Sequence, residues 1–140
     1  MSVKRFPADI AFSRALRESY DWNCQKCNLN FSHDHGMLDA AHIHTRKHRS
    51  TRWCYKFGAI PLCKSCHRRF TDFPLEWGDF CKSYFGEAWY DEAKRKAWQV
   101  GKYTKAEQKE IAAHYRAEEE RIKNERREGK TGHIELISYD

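Results

Sequence analysis

Residues 38–70 of the 140-residue chain read LDAAHIHTRKHRSTRWCYKFGAIPLCKSCHRRF, and they combine metal-ligating residues with dense positive charge. It holds four histidines and a Cys-x-x-Cys-His motif that ends at His67. Between His42 and Phe70 there are eight Lys or Arg residues and no Asp or Glu. This segment therefore has a charge of +8, whereas the whole chain has a net charge of +6, so the rest of the chain is at −2. The positive charge is concentrated in this segment, as expected for a surface that meets a polyanion. Imidazoles among cations indicate chemistry on a phosphate backbone.

The length and composition predict one domain with an acidic partner, nucleic acid rather than membrane. The pI is about 9.0, and an aromatic content of 14% argues against wholesale disorder. No apolar run approaches the roughly 20 residues of a membrane span, and the N-terminal residues MSVKRFPADI lack a signal-peptide apolar region. We therefore expect no membrane association and a cytoplasmic location, where thiols stay reduced.

Two Cys-x-x-Cys pairs predict a structural zinc ion. Cys24 and Cys27 form the first pair, Cys63 and Cys66 the second, and together they offer the four thiolates of a tetrahedral site. The 35 residues between the pairs exceed the roughly 15–20 of a zinc ribbon, which indicates an inserted functional hairpin. Two disulfides or four free core thiols are the alternatives. The other cysteines, Cys54 and Cys81, are expected to be buried thiols, with Cys54 as a substitute ligand.

The remaining chain is expected to be mostly helical. A helix is predicted from Asp9 to Tyr20, two short strands at 37–43 and 59–62, and further helices at 64–71, 74–85, 87–100 and 104–127. Residues 45–57 are predicted to be a basic loop. The domain organisation follows as a flexible lead at 1–8, a zinc-containing domain at 9–103, a long helix at 104–128 packed on or extending from it, and a tail at 129–140 that is either an extra strand or disordered.

The central stretch resembles the HNH endonuclease family. The resemblance rests on Ala41-His42-Ile43 followed by Leu62-Cys63-Lys64-Ser65-Cys66-His67, with a Cys-x-x-Cys before them. The flanks DIAFSRALRESYDWNCQKC and FTDFPLEWGDFCKSYFGEAWYDEAKRKA resemble phage- and prophage-encoded members linked to recombination or DNA processing, so the similarity covers roughly residues 9–125. It implies an α+β fold, in which a zinc-stabilised ββα-metal hairpin is surrounded by helices.

The resemblance also implies a mechanism. His42 matches the family's general base, which activates water against a phosphodiester, and His67 matches a ligand of a catalytic Mg²⁺, Mn²⁺ or similar ion. Arg52, together with His48 or Arg46, is expected to contact the scissile phosphate. The products would carry 5′-phosphate and 3′-hydroxyl ends.

The chain departs from the family motif at two positions. Ala41 stands where many members carry an Asp or His metal ligand, and Gly58 stands where the middle Asn is expected. Alternate residues of a strand face the same side of the sheet, so His44 is expected on the same side as His42. His44 is therefore predicted to be a further ligand of the catalytic metal ion. Asp39, which is expected on the opposite side, is the alternative ligand.

The sequence thus predicts a metal-dependent DNA endonuclease acting on duplex or branched DNA, as a monomer or homodimer, in the host cytoplasm if phage-encoded. A non-catalytic zinc-stabilised DNA-binding or recombination-accessory module is the alternative. Trp98 is expected to lie in the core, with Trp53, Trp77 and Trp89, rather than to stack on bases. The predicted nucleic-acid contacts are non-specific phosphate contacts from Arg46, Lys47, His48, Arg49, Arg52, Lys64, Arg68 and Arg69.

Overall fold

Helices surround one two-stranded antiparallel sheet, so the fold is α+β. The computed structural model describes residues 4–140, and residues 1–3 of the predicted flexible lead lie outside the described part. None of the helices within residues 4–140 is long and apolar enough to cross a membrane. The elements in chain order are α1 (Pro7–Ser19), β1 (Leu38–His42), α2 (Arg49–Arg52), β2 (Ala59–Cys63), α3 (Lys64–Asp72), α4 (Pro74–Phe85), α5 (Glu87–Trp98) and α6 (Lys105–Arg127).

The central stretch forms the predicted hairpin followed directly by a helix. β1 pairs with β2 so that Leu38 lies opposite Cys63 and His42 opposite Ala59. The second strand is buried along its whole length, and its Pro61 is tolerated because each strand of a two-stranded sheet has a free edge. Cys63 ends β2 and caps α3, its sulfur accepting a hydrogen bond from the Cys66 backbone N–H at 3.5 Å. The hairpin alone would be marginally stable, so it depends on what packs around it.

Helices α1 and α6 pack on each other and form the main core. Phe12 and Leu16 of α1 are fully buried against Ile111 and Tyr115 of α6. The start of α6 is the capping box expected from the sequence, with Thr104 accepting from the Glu107 backbone N–H. A second core lies under the hairpin and joins it to α3 and α4, and its buried residues include Leu38, Ile60, Leu62 and Phe70.

The C-terminal tail is neither an added strand nor disordered. It runs as an extended segment along α1 and α6, with Leu136 buried in the main core. The Ile134 backbone N–H donates to the Ser19 carbonyl at 2.8 Å, and the Tyr139 N–H donates to the Tyr115 hydroxyl at 3.1 Å. Its backbone groups pair with side chains and a helix end, because no strand edge is adjacent to it.

Residues 4–8 belong to the fold rather than to a flexible lead. The first helix begins at Pro7, two residues before the predicted start, because Pro is well suited to the first helical position. Phe6 precedes it, and its backbone N–H donates to the Asp9 carboxylate at 2.7 Å. The Lys4 carbonyl accepts a hydrogen bond from Arg52 at 2.6 Å.

Gly58 occupies a position where no side chain fits. A Cβ atom built there would lie 2.3 Å from the Cys54 carbonyl oxygen and 2.5 Å from that of Thr51. The Gly58 carbonyl accepts a hydrogen bond from the Ile43 N–H at 2.9 Å, which extends the hairpin pairing past His42. The family's Asn is therefore excluded here by the backbone turn that follows α2.

Replacing Gly58 by alanine should destabilise the protein by about 1–3 kcal/mol or more, because the methyl group must displace backbone rather than a flexible side chain. Denaturant unfolding of Gly58→Ala against the parent protein measures the difference. Gly36→Ala is the matched control, since nothing lies within 4 Å of a Cβ at that position. Equal stability of the two variants would contradict the packing argument.

Candidate functional site

The four paired cysteines form one cluster. The Sγ atoms of Cys24, Cys27, Cys63 and Cys66 all lie within 4.8 Å of one another, and those of Cys27 and Cys63 are 3.9 Å apart. Ligands about 2.3 Å from a tetrahedral ion would be about 3.8 Å apart, whereas disulfide sulfurs lie about 2.05 Å apart. All six cysteines are free, so the disulfide alternative is wrong. The cluster can hold a metal ion such as zinc, and it joins the loop after α1 to the β2–α3 junction.

The electrostatics of the cluster favour a bound cation. Burial opposes the charged form of Cys24, but backbone N–H groups, first that of Cys27 and then that of Cys63, lower its pKa to about 7. Burial and the neighbouring cysteine sulfurs raise the pKa of Cys66. Four thiolates this close repel one another, so their joint deprotonation requires a positive ion between them. Cys54 and Cys81 are buried outside the cluster, as free thiols.

A cavity of about 700 Å³ lies beside the hairpin and is lined by both predicted catalytic histidines. His42 reaches it from the end of β1 and His67 from α3. Asp39 of β1 also lines it. Four cations also line the cavity: Arg5, Arg17, Arg46 and Lys64. The folded chain thus brings imidazoles, a carboxylate and cations to one concave surface, an arrangement suited to an anionic ligand.

His42 is held with one ring nitrogen available as a base. Its Nε2 lies 3.0 Å from the Arg52 carbonyl oxygen, and a carbonyl only accepts, so Nε2 carries the hydrogen and Nδ1 keeps its lone pair. Burial lowers the pKa of His42 to about 4, although the hydrogen bond to the carbonyl acts in the opposite direction. The imidazole is therefore neutral at pH 7, which is the protonation state of a general base.

His67 is paired with Asp39. Its Nδ1 lies 2.9 Å from Asp39 Oδ2, and the Lys64 ammonium lies 2.6 Å from Asp39 Oδ1. Partial burial opposes the ionisation of Asp39, but His67 and Lys64 outweigh it and lower the pKa of the carboxyl group. The alternation of residues along the strand predicted that His44, and not Asp39, would act as a metal ligand together with His67. The structure brings Asp39 to His67 instead, because His67 approaches from α3 across the strand face that carries Asp39.

His44 lies outside this cavity. The strand ends at His42, and the His44 ring is directed towards His48 and Tyr90, with ring centroids 6.0 and 6.2 Å away. Its Nε2 is buried and has no hydrogen-bond partner within the described chain. The structure therefore does not bring His44 to His67, contrary to the arrangement expected from parity.

Arg52 has a structural role in place of the predicted phosphate contact. Its side chain is 1% exposed, and it donates to both carboxylate oxygens of Asp9, at 2.8 and 2.7 Å. Trp53 donates to the same carboxylate at 3.0 Å. A buried guanidinium paired in this way does not reach a ligand, so the sequence-based assignment of Arg52 to the phosphate is corrected here. Arg52 contributes to the cavity only through its backbone carbonyl, which accepts the hydrogen bond from the His42 ring.

Replacing Arg52 by methionine should destabilise the protein by about 3–5 kcal/mol, because the Asp9 carboxylate would remain buried without its partner. Denaturant unfolding measures the loss. The double variant Arg52→Met with Asp9→Leu should recover much of it, since no uncompensated charge remains. A single variant as stable as the parent would contradict the buried pair.

Arg17 lines the cavity, whereas its place on the first predicted helix left open whether it is a functional residue or a solvated surface cation. Its Nε donates to the Ser13 carbonyl at 3.1 Å, and its Nη1 donates to the carbonyls of His35 and Leu38 at 3.0 and 3.1 Å. These three backbone contacts fix the guanidinium at the cavity, where the charge of the Asp39 carboxylate also acts on it. A signal existed: Asp9, Ser13 and Arg17 are spaced by four residues and line the cavity from one face of α1.

The other predicted nucleic-acid contacts are distributed around the cavity. Arg46 and Lys64 line it directly. On α3, Arg69 is paired with Glu76 at 3.0 Å. The remaining predicted contacts lie outside the cavity lining at exposed or half-buried positions, and they are Lys47, His48, Arg49, Arg68 and Arg69.

Comparison with known proteins does not assign this chain to a family. No family model matches it, and no curated protein or solved structure is significantly similar to it.

Proposed function

We propose that the chain is a metal-dependent DNA endonuclease of the ββα-metal type. One observation carries the proposal: His42 at the end of β1 and His67 on the following helix line the same cationic cavity. A structural or purely adhesive protein has no need of a neutral, oriented imidazole beside a histidine–carboxylate pair. The Asp39–His67 pair therefore favours an enzyme over the non-catalytic DNA-binding module.

The cysteine cluster is proposed to hold zinc in a structural role. Four sulfur ligands close a tetrahedral shell and leave no position for substrate, which is characteristic of structural rather than catalytic zinc. The Cys27–Cys63 separation of 3.9 Å fits this shell without rearrangement. The ion would tie the loop after α1 to the start of α3, and so fix the helix that carries His67.

Asp39 and His67 are proposed to hold the catalytic divalent cation. Asp39 Oδ2 and His67 Nδ1 lie 2.9 Å apart as a hydrogen-bonded pair, and they would hold the ion in place of the hydrogen that they share. Mg²⁺ typically takes only one or two protein ligands and keeps several waters, so a two-residue site is sufficient. When bound, Mg²⁺ or Mn²⁺ would supply positive charge to the phosphate and to the departing oxygen. Asp39 thus replaces the ligand missing at Ala41.

The protein's own residues account for the rest of the reaction. Arg17, Arg46 and Lys64 attract and position the phosphodiester in the cavity. The Nδ1 of His42 accepts a proton from a water molecule as that water's oxygen bonds to phosphorus, and the bond from phosphorus to the leaving 3′-oxygen breaks. The Arg52 carbonyl holds the imidazole in orientation and stabilises the imidazolium that forms.

Incubation of the purified protein with supercoiled plasmid DNA tests the proposal. Nicked or linear products are expected when Mg²⁺ or Mn²⁺ is present, and none when no divalent ion is added. Binding that shifts the plasmid without cleavage under any divalent ion would favour the non-catalytic module. Cleavage by the parent protein does not identify the residues that carry it out, so single-residue variants are measured in the same assay.

Asp39→Asn should raise the Mn²⁺ concentration needed for half-maximal cleavage by about 10- to 100-fold, because the amide has lost the charge that attracts the ion. Titration of Mn²⁺ against the initial cleavage rate measures the shift. Asp72→Asn, at an exposed position that does not line the cavity, is the matched control. An unchanged metal requirement in Asp39→Asn would exclude Asp39 as a ligand.

A further inference from the structure

Trp98 lies on the surface, although the sequence predicts it in the core. Its side chain is 74% exposed, and that of nearby Val100 is 85% exposed. Helix α5 buries its opposite face through the small residues Ala93 and Ala97. Trp98 and Val100 together leave apolar surface exposed at the end of α5, and exposed apolar patches rimmed by polar residues mark interaction sites.

The Trp98 end of α5 is held firmly by the basic segment that follows β1. His48 Nδ1 donates to the Ala97 carbonyl at 3.1 Å, and the Ser50 hydroxyl donates to the Lys96 carbonyl at 2.5 Å. Gly101 packs against the same segment so closely that a Cβ there would lie 2.4 Å from the Ser50 nitrogen. These contacts fix the indole relative to residues 45–50 and so reduce the entropy lost on binding.

The surroundings of Trp98 are polar and carry charges of both signs. A shallow surface pocket is lined by Trp98, Lys94, Arg95 and the carboxylate of Asp91, and Arg95 is paired with Glu92. The His48 ring lies against the indole, with centroids 6.0 Å apart at 69°. An aromatic plane flanked by Lys and Arg is the arrangement that binds nucleobases and their phosphates.

One chain segment runs from the cavity to Trp98. Thr45 and Arg46 line the cavity, and two residues further along the same segment His48 contacts α5 and Trp98. A nucleic-acid strand that leaves the cavity past Arg46 would follow this basic segment to the indole. The segment therefore connects the two sites with positive charge along its length.

We propose that Trp98 stacks on an unpaired base of the nucleic acid whose backbone enters the cavity, which makes this surface a binding site for single-stranded DNA. An indole face needs an exposed base face, and the bases of an intact duplex are covered except at the ends. The inference extends the proposed nuclease function by naming the structural class of its substrate: DNA with an unpaired strand beside the scissile bond.

Tryptophan fluorescence with a short oligothymidylate and no added divalent ion tests the proposal. Binding is expected to quench the emission, and the part of the quenching that Trp98→Phe loses is assigned to Trp98, because Trp22 and Trp53 are buried whereas Trp77 also lines the cavity. Trp98→Ala should weaken binding, measured by anisotropy of a labelled oligothymidylate, by about 5- to 150-fold. Trp98→Phe should keep a substantial part of the affinity but lose the Trp98 share of the quenching, which separates stacking from a general loss of structure.

Val100→Ala is the matched control, since it removes a neighbouring exposed apolar side chain that offers no stacking face, and it should bind like the parent. Parental oligothymidylate affinity in Trp98→Ala would overturn the proposal, as would an equal loss in Val100→Ala, which would show that the loss does not depend on a stacking face. This experiment measures DNA binding without a divalent ion, so its result does not depend on whether the protein cleaves DNA. A parent protein that binds through Trp98 but never cuts would refute the nuclease alone, and one that cuts without using Trp98 would refute the stacking site alone.

Discussion

Replacing His42 by alanine is expected to reduce the cleavage rate by about 10²- to 10⁴-fold while duplex DNA binding changes little. The imidazole is neutral, has a lone pair on Nδ1 and lines the cavity, so its loss removes the proton acceptor. The cations that attract the phosphate remain in place. Initial rates of plasmid nicking and a binding isotherm on the same duplex, measured for the parent and the variant, give the two quantities.

Two further histidine variants make the result specific. His33→Ala, in an exposed turn, should cut like the parent. His44→Ala should also retain cleavage, because His44 lies outside the cavity, whereas strand parity alone would predict a loss of metal-dependent activity. If His42→Ala retains parental activity with an unchanged melting temperature, His42 is not the base and the proposed mechanism fails.

Disrupting the cysteine cluster is expected to have the largest effect on stability. Zinc bound to four thiolates contributes about 10–16 kcal/mol in small zinc domains, which is comparable with the whole stability of an ordinary domain, about 5–15 kcal/mol. With zinc bound, the cluster would link the loop after α1 to the start of α3. Without it the two-stranded hairpin would lose the support on which it depends.

Cys27→Ser is the best variant for this test, because Cys27 is exposed and its replacement removes a ligand with little loss of packing. We expect it to lose zinc, which elemental analysis would report as less than one ion per chain, and to lose cooperative unfolding in circular dichroism. Cys81→Ser, buried outside the cluster, is the control that should keep its zinc. A chelated parent protein that stays folded, with an unchanged unfolding transition, would contradict a structural role for the ion.

Local patterns in the sequence predicted most of the secondary structure. Apolar spacing and breaking residues located the helices to within a few residues, and the capping box at Thr104 and Glu107 located the start of α6. The hairpin and its following helix were also predicted close to their observed limits. The short α2 was missed, because four residues of basic loop carry no periodic signal. The clustering of the cysteine pairs followed from their spacing, since each pair forms a turn around an ion.

Side-chain partners across the fold could not be predicted in this way. The alternation of residues along β1 predicted Asp39 on the face opposite to His42, so His44 was the preferred metal ligand. The position of α3 decides which residue of the strand contacts His67, and that residue is Asp39. Arg52 looks like any cation of the basic segment, and only the approach of Asp9 from α1 makes it a buried ion pair. Trp98 was predicted in the core because the sequence does not say which face of α5 packs inwards.

Residue spacing and composition were enough to predict the clustered cysteine pairs, the order of the ββα elements and the concentration of positive charge, because these depend on neighbours within a few residues or on composition. The packing of the folded chain then selects which charges are neutralised in the interior and which face the cavity. That choice depends on contacts between residues far apart in the chain, such as Asp9 with Arg52 or Asp39 with His67, whose geometry is set by helix packing.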